Sequence, residues 1–503
     1  MLYHSTRSKE LQIPSMEVIK QGTAPDGGLF IPHTIPELSM AEFKEMINMN
    51  YHERAVRILS LFLTDYSEED LTNCVHAAYN TDKFTSPKFA PVVKLDENLY
   101  ILELWHGPTC AFKDMALQLL PHMLITALKR TGEQSDVIIL VATSGDTGKA
   151  ALEGFRDVPG THVVVFYPNQ GVSSIQQIQM ATQEGSNVNV VAVEGNFDTA
   201  QSGVKAIFAD ELMGQVFEQK GYRLSSANSI NWGRLVPQVV YYISSWLDLL
   251  KTGEITEDEL IDVVIPTGNF GHILAAYYAR DMGVPIHRLV CASNSNNVLT
   301  DFINTGVYNR NRTFYKTISP SMDILVSSNL ERLLFALADG DFERVRSWME
   351  DLRLEGCYTI DDHSLEKLRS VFWGGYADDV QTLKTIRSTY DTYGYLMDPH
   401  TAVGMHVYDQ YRKQTGDDHK TILASTASPF KFADDVLKAL LGPNAVINKD
   451  DTITLLDTLS CMTGIQIPPA LSALKDKSIR HTAVCQQWQM KDILTDLFHI
   501  NEV

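Results

Sequence analysis

Residues 137–149 of the chain read VIILVATSGDTGK. The first five residues form a continuous apolar run, and the turn that follows contains Gly145 and Gly148 among hydroxyl-bearing residues. A helix-like pattern then extends from Lys149 to Arg156. A strand with apolar side chains on both faces, followed by a turn and a helix, is typical of a parallel sheet that is covered on both sides.

The same alternation recurs on both sides of this stretch. Further short apolar runs occupy residues 162–167, 188–193, 262–265, 287–291 and 421–424, and an amphipathic segment at 199–212 follows one of them. Helical patterning predominates at 51–66 and at 330–412. This order of strands and helices predicts an α/β fold with parallel sheets.

The composition excludes several classes of protein. The chain has 503 residues, of which 44% are hydrophobic and 21% are charged, which is typical of a globular protein rather than a disordered or fibrous one. Domains of roughly 150 residues would give about three domains, or two large ones. The formal charge of −20 argues against general binding of nucleic acid or of an anionic membrane.

The cysteines and the N-terminus indicate a compartment. No two of the six cysteines have the C-x-x-C spacing of zinc or redox sites, so the sequence predicts no metal site, and scattered cysteines suit a reducing compartment. The N-terminal residues MLYHSTRSK are not followed by the apolar region of a secretion signal. No apolar run approaches the roughly 18 residues of a membrane helix. We therefore expect a cytoplasmic protein without a membrane or nucleic-acid partner.

Three strand-to-helix turns are candidates for anion binding, because ligands of open α/β sheets bind beyond the carboxyl ends of the strands. They are residues 143–149 (TSGDTGK), 268–272 (GNFGH) and 425–429 (STASP). Exposed N–H groups and the positive end of the helix dipole favour an anion at the first two turns. Taken alone, each turn is also explained by a helix cap or a simple connection.

Two nucleotide-binding patterns do not fit these turns. Thr143 occupies the place of the first glycine of a P-loop, and Ala150 occupies the place of its magnesium-binding hydroxyl. The second turn lacks the G-x-G-x-x-G spacing of a dinucleotide site. The sequence therefore disfavours a nucleotide-binding module.

Lys113 is the candidate for chemistry with a carbonyl compound. It lies in WHGPTCAFKD, residues 105–114, beside Phe112 and close to Met115 and Ala116. Burial of an ammonium group is costly, and burial that neutralises the amine makes it able to form an imine. The alternative for an isolated lysine is a surface residue whose stem lies along apolar neighbours.

Together, these segments resemble the pyridoxal-phosphate enzymes of the tryptophan-synthase-β type, known as fold type II, and among them the threonine synthase family. The resemblance rests on HGPTCAFKD (106–114), ATSGDTGKAALEGF (142–155), IPTGNFG (265–271) and STASPFKF (425–432). Other segments similar to that family are APDGGLFIP (24–32), NSINWGR (228–234), SPSMDI (319–324) and DPHTAVG (398–404). The resemblance extends from the N-terminus to about residue 440.

The resemblance implies an α/β fold with two doubly wound parallel-sheet domains and an N-terminal threonine-synthase segment. It implies an N-terminal segment at 1–90, a catalytic core at 91–445 whose smaller subdomain is roughly 130–225, and a C-terminal extension at 446–503. The implied cofactor is pyridoxal 5'-phosphate. We expect a monomer or a homodimer.

The resemblance also implies roles for individual residues. Lys113 is expected to bind the cofactor covalently and to move protons during catalysis. The other residues expected to hold the cofactor are Gly268, Asn269, Phe270 and Gly271 at its phosphate and Thr426 at its pyridine nitrogen. The residues expected to bind the substrate are Ser144, Gly145, Asp146 and Thr147. Candidates for binding the leaving phosphate, with turn or core hydrogen bonding as the alternative, are His106, Thr109 and Asn228.

Three positions depart from patterns seen in relatives. Asp146 stands where many fold type II enzymes have asparagine, which fits threonine synthases better than cysteine synthases or dehydratases. His272 stands where several relatives have another residue. STASP replaces the more usual STAHP, which retains Thr426 and leaves Ser428 uninformative.

The implied reaction converts O-phospho-L-homoserine and water into L-threonine and phosphate by γ-elimination and β-addition of water. This is a lyase reaction of threonine biosynthesis in the aspartate-family pathway. One alternative is a threonine-synthase-like phospho-lyase that eliminates phosphate but releases a keto acid. Another is a binding protein that keeps the fold without catalysis, although such a protein has no need of Lys113.

Overall fold

The structure is a computed structural model, and it describes residues 1–143, 145–169, 172–442, 445, 447 and 451–500. Ser144, one of the residues predicted to bind the substrate, lies outside the described residues. Within that described part, no helix combines the length and the apolar character needed to cross a lipid bilayer.

Strands and helices alternate along the chain. The strands are β1 (Leu2–Ser5), β2 (Ile13–Pro14), β3 (Phe30–Pro32), β4 (Val92–Lys94), β5 (Leu99–Glu103), β6 (Asp136–Ala142), β7 (Thr161–Pro168), β8 (Val188–Val193), β9 (Tyr222–Ser225), β10 (Ile261–Pro266), β11 (Ile286–Ser293), β12 (Val307–Asn309), β13 (Cys357–Thr359), β14 (Phe372–Tyr376), β15 (Lys420–Ser425) and β16 (Val484–Cys485). The helices are α1 (Ser15–Gln21), α2 (Met40–Met46), α3 (Tyr51–Phe62), α4 (Glu68–Ala78), α5 (Asp114–Leu117), α6 (Leu120–Thr131), α7 (Asp146–Phe155), α8 (Ser174–Ala181), α9 (Phe197–Phe208), α10 (Glu211–Gln219), α11 (Trp232–Thr252), α12 (Gly271–Asp281), α13 (Val298–Thr305), α14 (Leu330–Leu337), α15 (Phe342–Leu354), α16 (Asp362–Val371), α17 (Asp379–Tyr393), α18 (Pro399–Thr415), α19 (Ala433–Leu441), α20 (Thr452–Thr463), α21 (Pro469–Ser472) and α22 (Met490–Leu497). Short 3-10 turns lie at Pro320–Met322, Pro429–Phe432, Ala473–Asp476 and Gln487–Gln489.

The larger parallel sheet has the strand order β14-β11-β10-β15-β5-β4. Its neighbouring strands run parallel except β4, which pairs antiparallel with β5 at the edge. Every residue of β5 and β10 is buried, as expected for central strands covered on both faces. Because β10, β15 and β5 are adjacent and parallel, the turns that follow them open at the same edge of the sheet.

The smaller sheet has the order β16-β8-β7-β6-β9 and is parallel throughout. The apolar run of β6 is fully buried, and α7 and α9 pack against β7. The two parallel sheets and their helices confirm the predicted α/β fold class. The apolar runs that predicted strands at 162–167, 188–193, 262–265, 287–291 and 421–424 all lie within strands.

The N-terminal region adds a separate layer. The strands β1, β2 and β3 form an antiparallel sheet in the order β2-β1-β3, and α3 packs against α4 and α11. Arg7 follows β1 and donates two hydrogen bonds of 2.8 Å to the buried Glu331 of α14. This ion pair links the N-terminal sheet to α14.

Several element boundaries differ from the sequence patterns. The amphipathic segment at 199–212 is the end of α9 and the start of α10, because Asp210 caps α10 by accepting a hydrogen bond from the Met213 N–H. The region 330–412, which predicted helices, is interrupted by β13 and β14. Strand β14 contains Gly374, where a Cβ would lie 3.2 Å from Thr300 Cα of α13. The glycine allows this close packing and weakens the strand pattern in the sequence.

The end of the described chain returns to the smaller sheet. Strand β16 pairs with β8, and α22 packs against α9. A Cβ on Gly203 of α9 would meet the flexible side chain of Met490, the first residue of α22. The division of the chain at residues 90 and 445 stays a prediction.

Candidate active site

The HGPTCAFKD segment follows β5 and folds around the carboxylate of Asp114. Thr109 donates to Asp114 from its backbone N–H at 2.8 Å and from its hydroxyl at 2.7 Å. A Cβ on Gly107 would lie 2.5 Å from Asp114, so this position excludes a side chain. The loop places Lys113 at the start of α5, at the carboxyl edge of the larger sheet.

The amine of Lys113 lies in a largely enclosed space. The side chain is 10% exposed, and Nζ lies 3.5 Å from Asp146 Oδ2 and donates to Ser321 Oγ at 3.2 Å. Burial lowers the pKa of Lys113 to about 8, although the Asp146 carboxylate acts in the opposite direction. At pH 7 about a tenth of this amine is therefore neutral, and attack on a carbonyl carbon requires the neutral form.

Asp146, at the start of α7, lies between two lysines. Its Oδ1 lies 2.6 Å from Nζ of Lys431 and accepts a hydrogen bond of 2.9 Å from Gln176. Lys431 is fully buried and also donates to the carbonyl of Thr109 at 2.9 Å. Burial opposes ionisation of Asp146, but Lys431 and Lys113 outweigh it and hold the pKa of Asp146 well below its usual range. The carboxylate is therefore ionised and directed towards the lysines.

Ser321 joins three parts of the site. Its hydroxyl, which accepts from Lys113, donates to Asp146 Oδ2 at 3.0 Å, and its backbone N–H donates to His400 Nε2 at 3.1 Å. His400 Nδ1 lies 2.7 Å from Asp398 Oδ1, and both of these side chains are buried. Because Nε2 accepts from a backbone N–H, the imidazole proton lies on Nδ1 and is donated to Asp398. This pair fixes the position of Ser321.

The 268–271 loop connects β10 to α12. Phe270 adopts the left-handed conformation with φ of +62°, and the carbonyl of Asn269 accepts hydrogen bonds from the N–H and the side chain of Asn329 at 3.1 and 3.0 Å. A Cβ on Gly268 would lie 2.8 Å from the carbonyl oxygen of Ser321. The loop therefore lies directly against the turn that holds Lys113, and α12, which begins at Gly271, directs its N-terminal N–H groups to this edge.

Thr426 directly follows β15. Its carbonyl accepts from the N–H of Phe112 at 2.8 Å, and its own N–H donates to the hydroxyl of Thr401 at 3.2 Å. Its hydroxyl makes no hydrogen bond to another described residue. The helix cap that was the alternative explanation for this turn is provided by Ser428, whose hydroxyl accepts from the N–H of Phe430. Thr426 is thus held beside Lys113 with a free hydroxyl.

The turn between β6 and α7 is organised by Thr143. Its hydroxyl accepts from the N–H groups of Gly145 and Gly148 at 3.0 and 2.9 Å. Gly145 has φ of +144°, which lets α7 begin at Asp146 rather than at Lys149. Thr147 is half-buried, and its hydroxyl makes no hydrogen bond to another described residue. Substrate binding by Gly145, Asp146 and Thr147 stays a prediction, and Thr147 has the hydroxyl that is free for it.

Of two conspicuous side chains near these motifs, Lys149 has polar partners, whereas the ring nitrogens of His272 have no hydrogen-bond partner among the described residues. Lys149, the lysine that invited the P-loop comparison, lies 3.2 Å from Glu153 and also donates to Gln183. The ring of His272 stacks on Phe112 with centroids 4.5 Å apart. Burial lowers the pKa of His272 to about 3, so its imidazole is neutral.

Two of the three candidates for the leaving phosphate are engaged elsewhere. His106 contacts the carboxylate of Glu103 and the hydroxyl of Thr85 through its two ring nitrogens, at 2.8 and 3.0 Å. The hydroxyl of Thr109 is bonded to Asp114. Asn228 is half-buried, and within the described residues only its backbone is hydrogen bonded. It is the candidate whose side chain is free.

Sequence reasoning missed Lys431, Ser321, His400 and Arg234, although each lies inside a segment that carried the resemblance. Arg234 is 4% exposed, donates to the carbonyl of Ala227 at 2.8 Å, and has an Nε without a hydrogen-bond partner among the described residues. Its charge is close enough to lower the pKa of Lys113. The detectable signal was a charged residue within an apolar context, as in SPFKF.

Three family models match consecutive parts of the chain. The model named Threonine synthase N terminus matches residues 2–79, and the model named Pyridoxal-phosphate dependent enzyme matches residues 76–359. The model named Threonine synthase, C-terminal matches residues 401–492.

Known proteins are similar to the chain over most of its length. Human threonine synthase-like 1 is 44% identical over 434 residues, which cover 84% of this chain and 58% of the human protein. The chain thus spans 58% of the length of that relative. Threonine synthase from Pseudomonas aeruginosa is 38% identical over 443 residues, which cover 88% of this chain and 91% of that protein.

Solved structures share the fold. The crystal structure of PLP-bound threonine synthase from Brucella melitensis matches with a TM-score of 0.87 and 35% identity, and the match covers 100% of both chains. Threonine synthase from yeast matches with a TM-score of 0.87 and 34% identity over 99% of this chain and 98% of that chain.

Proposed function

Because the chain belongs to the threonine synthase family of pyridoxal-phosphate-dependent enzymes, we propose that it converts O-phospho-L-homoserine and water into L-threonine and phosphate. The observation that carries the proposal is the amine of Lys113, held between Asp146 and Ser321 beside the turns that end β10 and β15. These turns bring the 268–271 loop, our candidate for binding the cofactor phosphate, and the free hydroxyl of Thr426 close to Lys113.

The residues of the site fit pyridoxal 5'-phosphate. Lys113 offers an amine that burial makes partly neutral, and the 268–271 loop offers a helix N-terminus with close backbone approach. Thr426 offers a hydroxyl, rather than a carboxylate, for the pyridine nitrogen. A hydroxyl leaves that nitrogen largely unprotonated, and this moderates electron withdrawal in favour of elimination. When bound, the cofactor delocalises the negative charge that develops at the substrate Cα.

Lys113 has the position of the general base. Lys113 would hold the cofactor when it is bound, and its amine, when free, would move one proton at a time at the substrate Cα and Cβ. The partial neutrality of the amine at neutral pH favours this transfer. Ser321 orients the amine, because its hydroxyl accepts from Lys113 while it donates to Asp146.

Buried cations can balance the anionic substrate. Lys431 is matched by Asp146, whereas Arg234 faces no carboxylate in an ion pair within the described part of the chain. Its unpartnered Nε and the free side chain of Asn228 make these two residues our candidates for the substrate phosphate. The hydroxyl of Thr147 is the candidate for the substrate carboxylate.

The decisive experiment follows the products. The full chain, loaded with pyridoxal phosphate, is supplied with O-phospho-L-homoserine in ¹⁸O-labelled water, and the products are analysed by mass spectrometry. We expect phosphate and threonine in equal amounts, with one solvent oxygen at Cβ. Release of 2-ketobutyrate as the main product would instead support the phospho-lyase.

The Lys113→Ala variant tests whether the products depend on this amine, and a second lysine variant is its matched control. Lys113→Ala should release neither threonine nor phosphate, whereas Lys251→Ala removes an exposed lysine in the last turn of α11 and should leave turnover unchanged. Threonine formation by Lys113→Ala at the wild-type rate would contradict the proposal.

We also propose a cytoplasmic location and a place in threonine biosynthesis. The six cysteines are free, which suits a reducing compartment. Whether the protein is a monomer or a homodimer stays a prediction.

A further inference from the structure

Four side chains with metal-binding atoms meet at the edge of the larger sheet opposite the candidate active site. Asp262 is the second residue of β10, His287 is the second residue of β11, and Asp417 and His419 lie in the turn before β15. One oxygen or nitrogen atom from each side chain lies within 4.8 Å of all the others. His419 precedes Thr426 by seven residues across β15, so at roughly 3.3 Å per residue their Cα atoms lie roughly 23 Å apart.

A β-bulge directs His287 towards the cluster. Ile261 of β10 pairs with Ile286 of β11, but the next residue, Asp262, pairs with Arg288. His287 is the extra residue, and bulges commonly redirect a side chain. Its Nδ1 lies 3.1 Å from Asp262 Oδ1 and 3.3 Å from Asp417 Oδ2.

The separations in the cluster are those of metal ligands. Two ligands of a tetrahedral zinc ion with bonds of about 2.1 Å lie about 3.4 Å apart. His287 meets this separation with both carboxylates, and His419 Nδ1 lies 2.8 Å from Asp417 Oδ1.

The carboxylates of the cluster have no lysine or arginine partner among the described residues. The Asp262 side chain is 0% exposed, and its Oδ2 has no hydrogen-bond partner among the described residues. Neither Asp262 nor Asp417 forms an ion pair with lysine or arginine in that part of the chain. Lys420, the adjacent lysine, pairs with Glu259 at 2.9 Å.

Outer hydrogen bonds orient the same groups. The hydroxyl of Tyr411 donates to Asp417 Oδ2 at 2.9 Å, and the N–H of Arg288 donates to Asp262 Oδ1 at 3.0 Å. The N–H of His419 donates to Asp417 Oδ1 at 2.9 Å. Such second contacts are characteristic of metal sites, where they fix the orientation of the ligands.

We propose that Asp262, His287, Asp417 and His419 bind one divalent transition-metal ion, with Zn²⁺ as the occupant. Two carboxylates balance its charge, and two imidazoles complete a four-coordinate set of nitrogen and oxygen ligands. The ion joins the starts of three adjacent strands, β11, β10 and β15. Its role is structural, because the cluster and Lys113 lie at opposite edges of the sheet. The sequence predicted no metal site because it has no C-x-x-C pair. That absence carries no information about a site made of aspartate and histidine side chains.

The test is metal stoichiometry in the full chain. The protein is stripped with a chelator, dialysed against micromolar Zn²⁺, and measured by plasma mass spectrometry. We expect one Zn²⁺ per wild-type chain. The double variant His287→Ala/His419→Ala should bind Zn²⁺ about tenfold more weakly or worse. The matched control His162→Ala/His363→Ala removes two histidines that also lie beside aspartates, and it should keep the ion.

Two further measurements test the proposal even if the double variant does not fold. Asp262→Asn preserves the shape of the side chain and should still weaken Zn²⁺ binding, with circular dichroism to verify the fold. Co²⁺ added to the stripped wild-type protein should give the intense visible bands of tetrahedral coordination. A wild-type chain without bound Zn²⁺, or equal Zn²⁺ binding by the wild type and the folded variants, would overturn the proposal. These outcomes are independent of the proposed activity.

Discussion

One carboxylate between two lysines determines which amine can react. Asp146 lies 2.6 Å from the amine of Lys431 but 3.5 Å from that of Lys113. The shorter pair keeps Lys431 compensated in a fully buried position, where an unpaired charge would be costly. Lys113 is the lysine whose pKa burial lowers to about 8. The pair therefore leaves Lys113 as the amine that can lose its proton.

This arrangement predicts a pH dependence for cofactor attachment. In protein stripped of cofactor, the rate of covalent attachment of pyridoxal phosphate should rise with pH through about 8, because only the neutral amine reacts. Asp146 raises the pKa of Lys113, so Asp146→Asn should move the midpoint to lower pH. Stopped-flow absorbance over a range of pH gives the midpoint, and borohydride trapping with peptide mapping should place the label on Lys113.

The neighbouring pair in the same helix provides the control. Glu153→Gln removes the carboxylate that pairs with Lys149, and it should leave the midpoint for Lys113 unchanged. A midpoint of Asp146→Asn at or above the wild-type value would contradict this account, as would a label on the Lys149 peptide.

The hydroxyl of Thr426 is expected to affect both the absorption band of the cofactor and the rate of turnover. Thr426→Val removes the free hydroxyl with little change in volume and keeps both backbone hydrogen bonds. We expect bound cofactor with a shifted absorption band and turnover that is slower by about tenfold. Ser428→Ala, which removes the neighbouring cap, should leave the absorption band in place. An unchanged band and rate in Thr426→Val would show that its hydroxyl does not touch the cofactor.

At the scale of elements, the site depends on contacts between short turns. The 268–271 loop, the Pro320–Met322 turn and the start of α5 are each only a few residues long, yet they meet at Ser321 and Lys113. Gly268 makes this meeting possible, because a Cβ there would lie 2.8 Å from a backbone oxygen that cannot rotate away.

The contact between Gly268 and the Ser321 carbonyl oxygen predicts that a side chain at position 268 weakens cofactor binding. Gly268→Ala should displace the loop from the Ser321 turn, and the chain should lose pyridoxal phosphate during dialysis with affinity reduced by about tenfold or more. Gly214→Ala is the control, because a Cβ there meets no atom within 4 Å. Cofactor content is measured by absorbance and fold by circular dichroism. Full cofactor occupancy in Gly268→Ala would exclude the loop as the phosphate site.

The strands that the sequence predicted differ in burial from β14, the strand that it did not predict. The runs at 137–141, 188–193 and 262–265 are strands because they are buried on both faces, and such burial requires apolar residues in sequence. Strand β14 escaped prediction because Phe372–Tyr376 lies at the edge of the sheet and contains two glycines. The same distinction holds for the site. Lys113 and the glycine loop lie in local sequence patterns and could be predicted, whereas the Asp146–Lys431 ion pair forms only when the chain folds.

At the scale of the whole molecule, both parallel sheets contribute to one site. Asp146 follows a strand of the smaller sheet, and Lys431 follows a strand of the larger sheet, so their ion pair crosses between the sheets. The last described residues complete the far edge of the smaller sheet through β16 and α22. The C-terminal segment thus supports the sheet that carries Asp146.

Because α22 supports the smaller sheet, loss of a buried side chain from this helix should lower the free energy of unfolding. Leu494 of α22 is fully buried, and Leu494→Ala should lower the free energy of unfolding by about 2–5 kcal/mol. Leu497 lies in the same helix and is 37% exposed, so Leu497→Ala should cost less than about 1 kcal/mol. Urea denaturation followed by circular dichroism compares the two. Equal costs would mean that α22 does not pack on the sheet as described.

The contact of Gly268 with the Ser321 turn has a consequence for the history of the family. Position 321 is bounded by the glycine on one side and by His400 on the other, and both contacts are made to its backbone. Because the atom that a side chain at position 268 would meet is the Ser321 carbonyl oxygen, a change of side chain at 321 or 400 does not remove the clash. Among homologues, we therefore expect glycine at position 268 to persist whichever residues stand at 321 and 400.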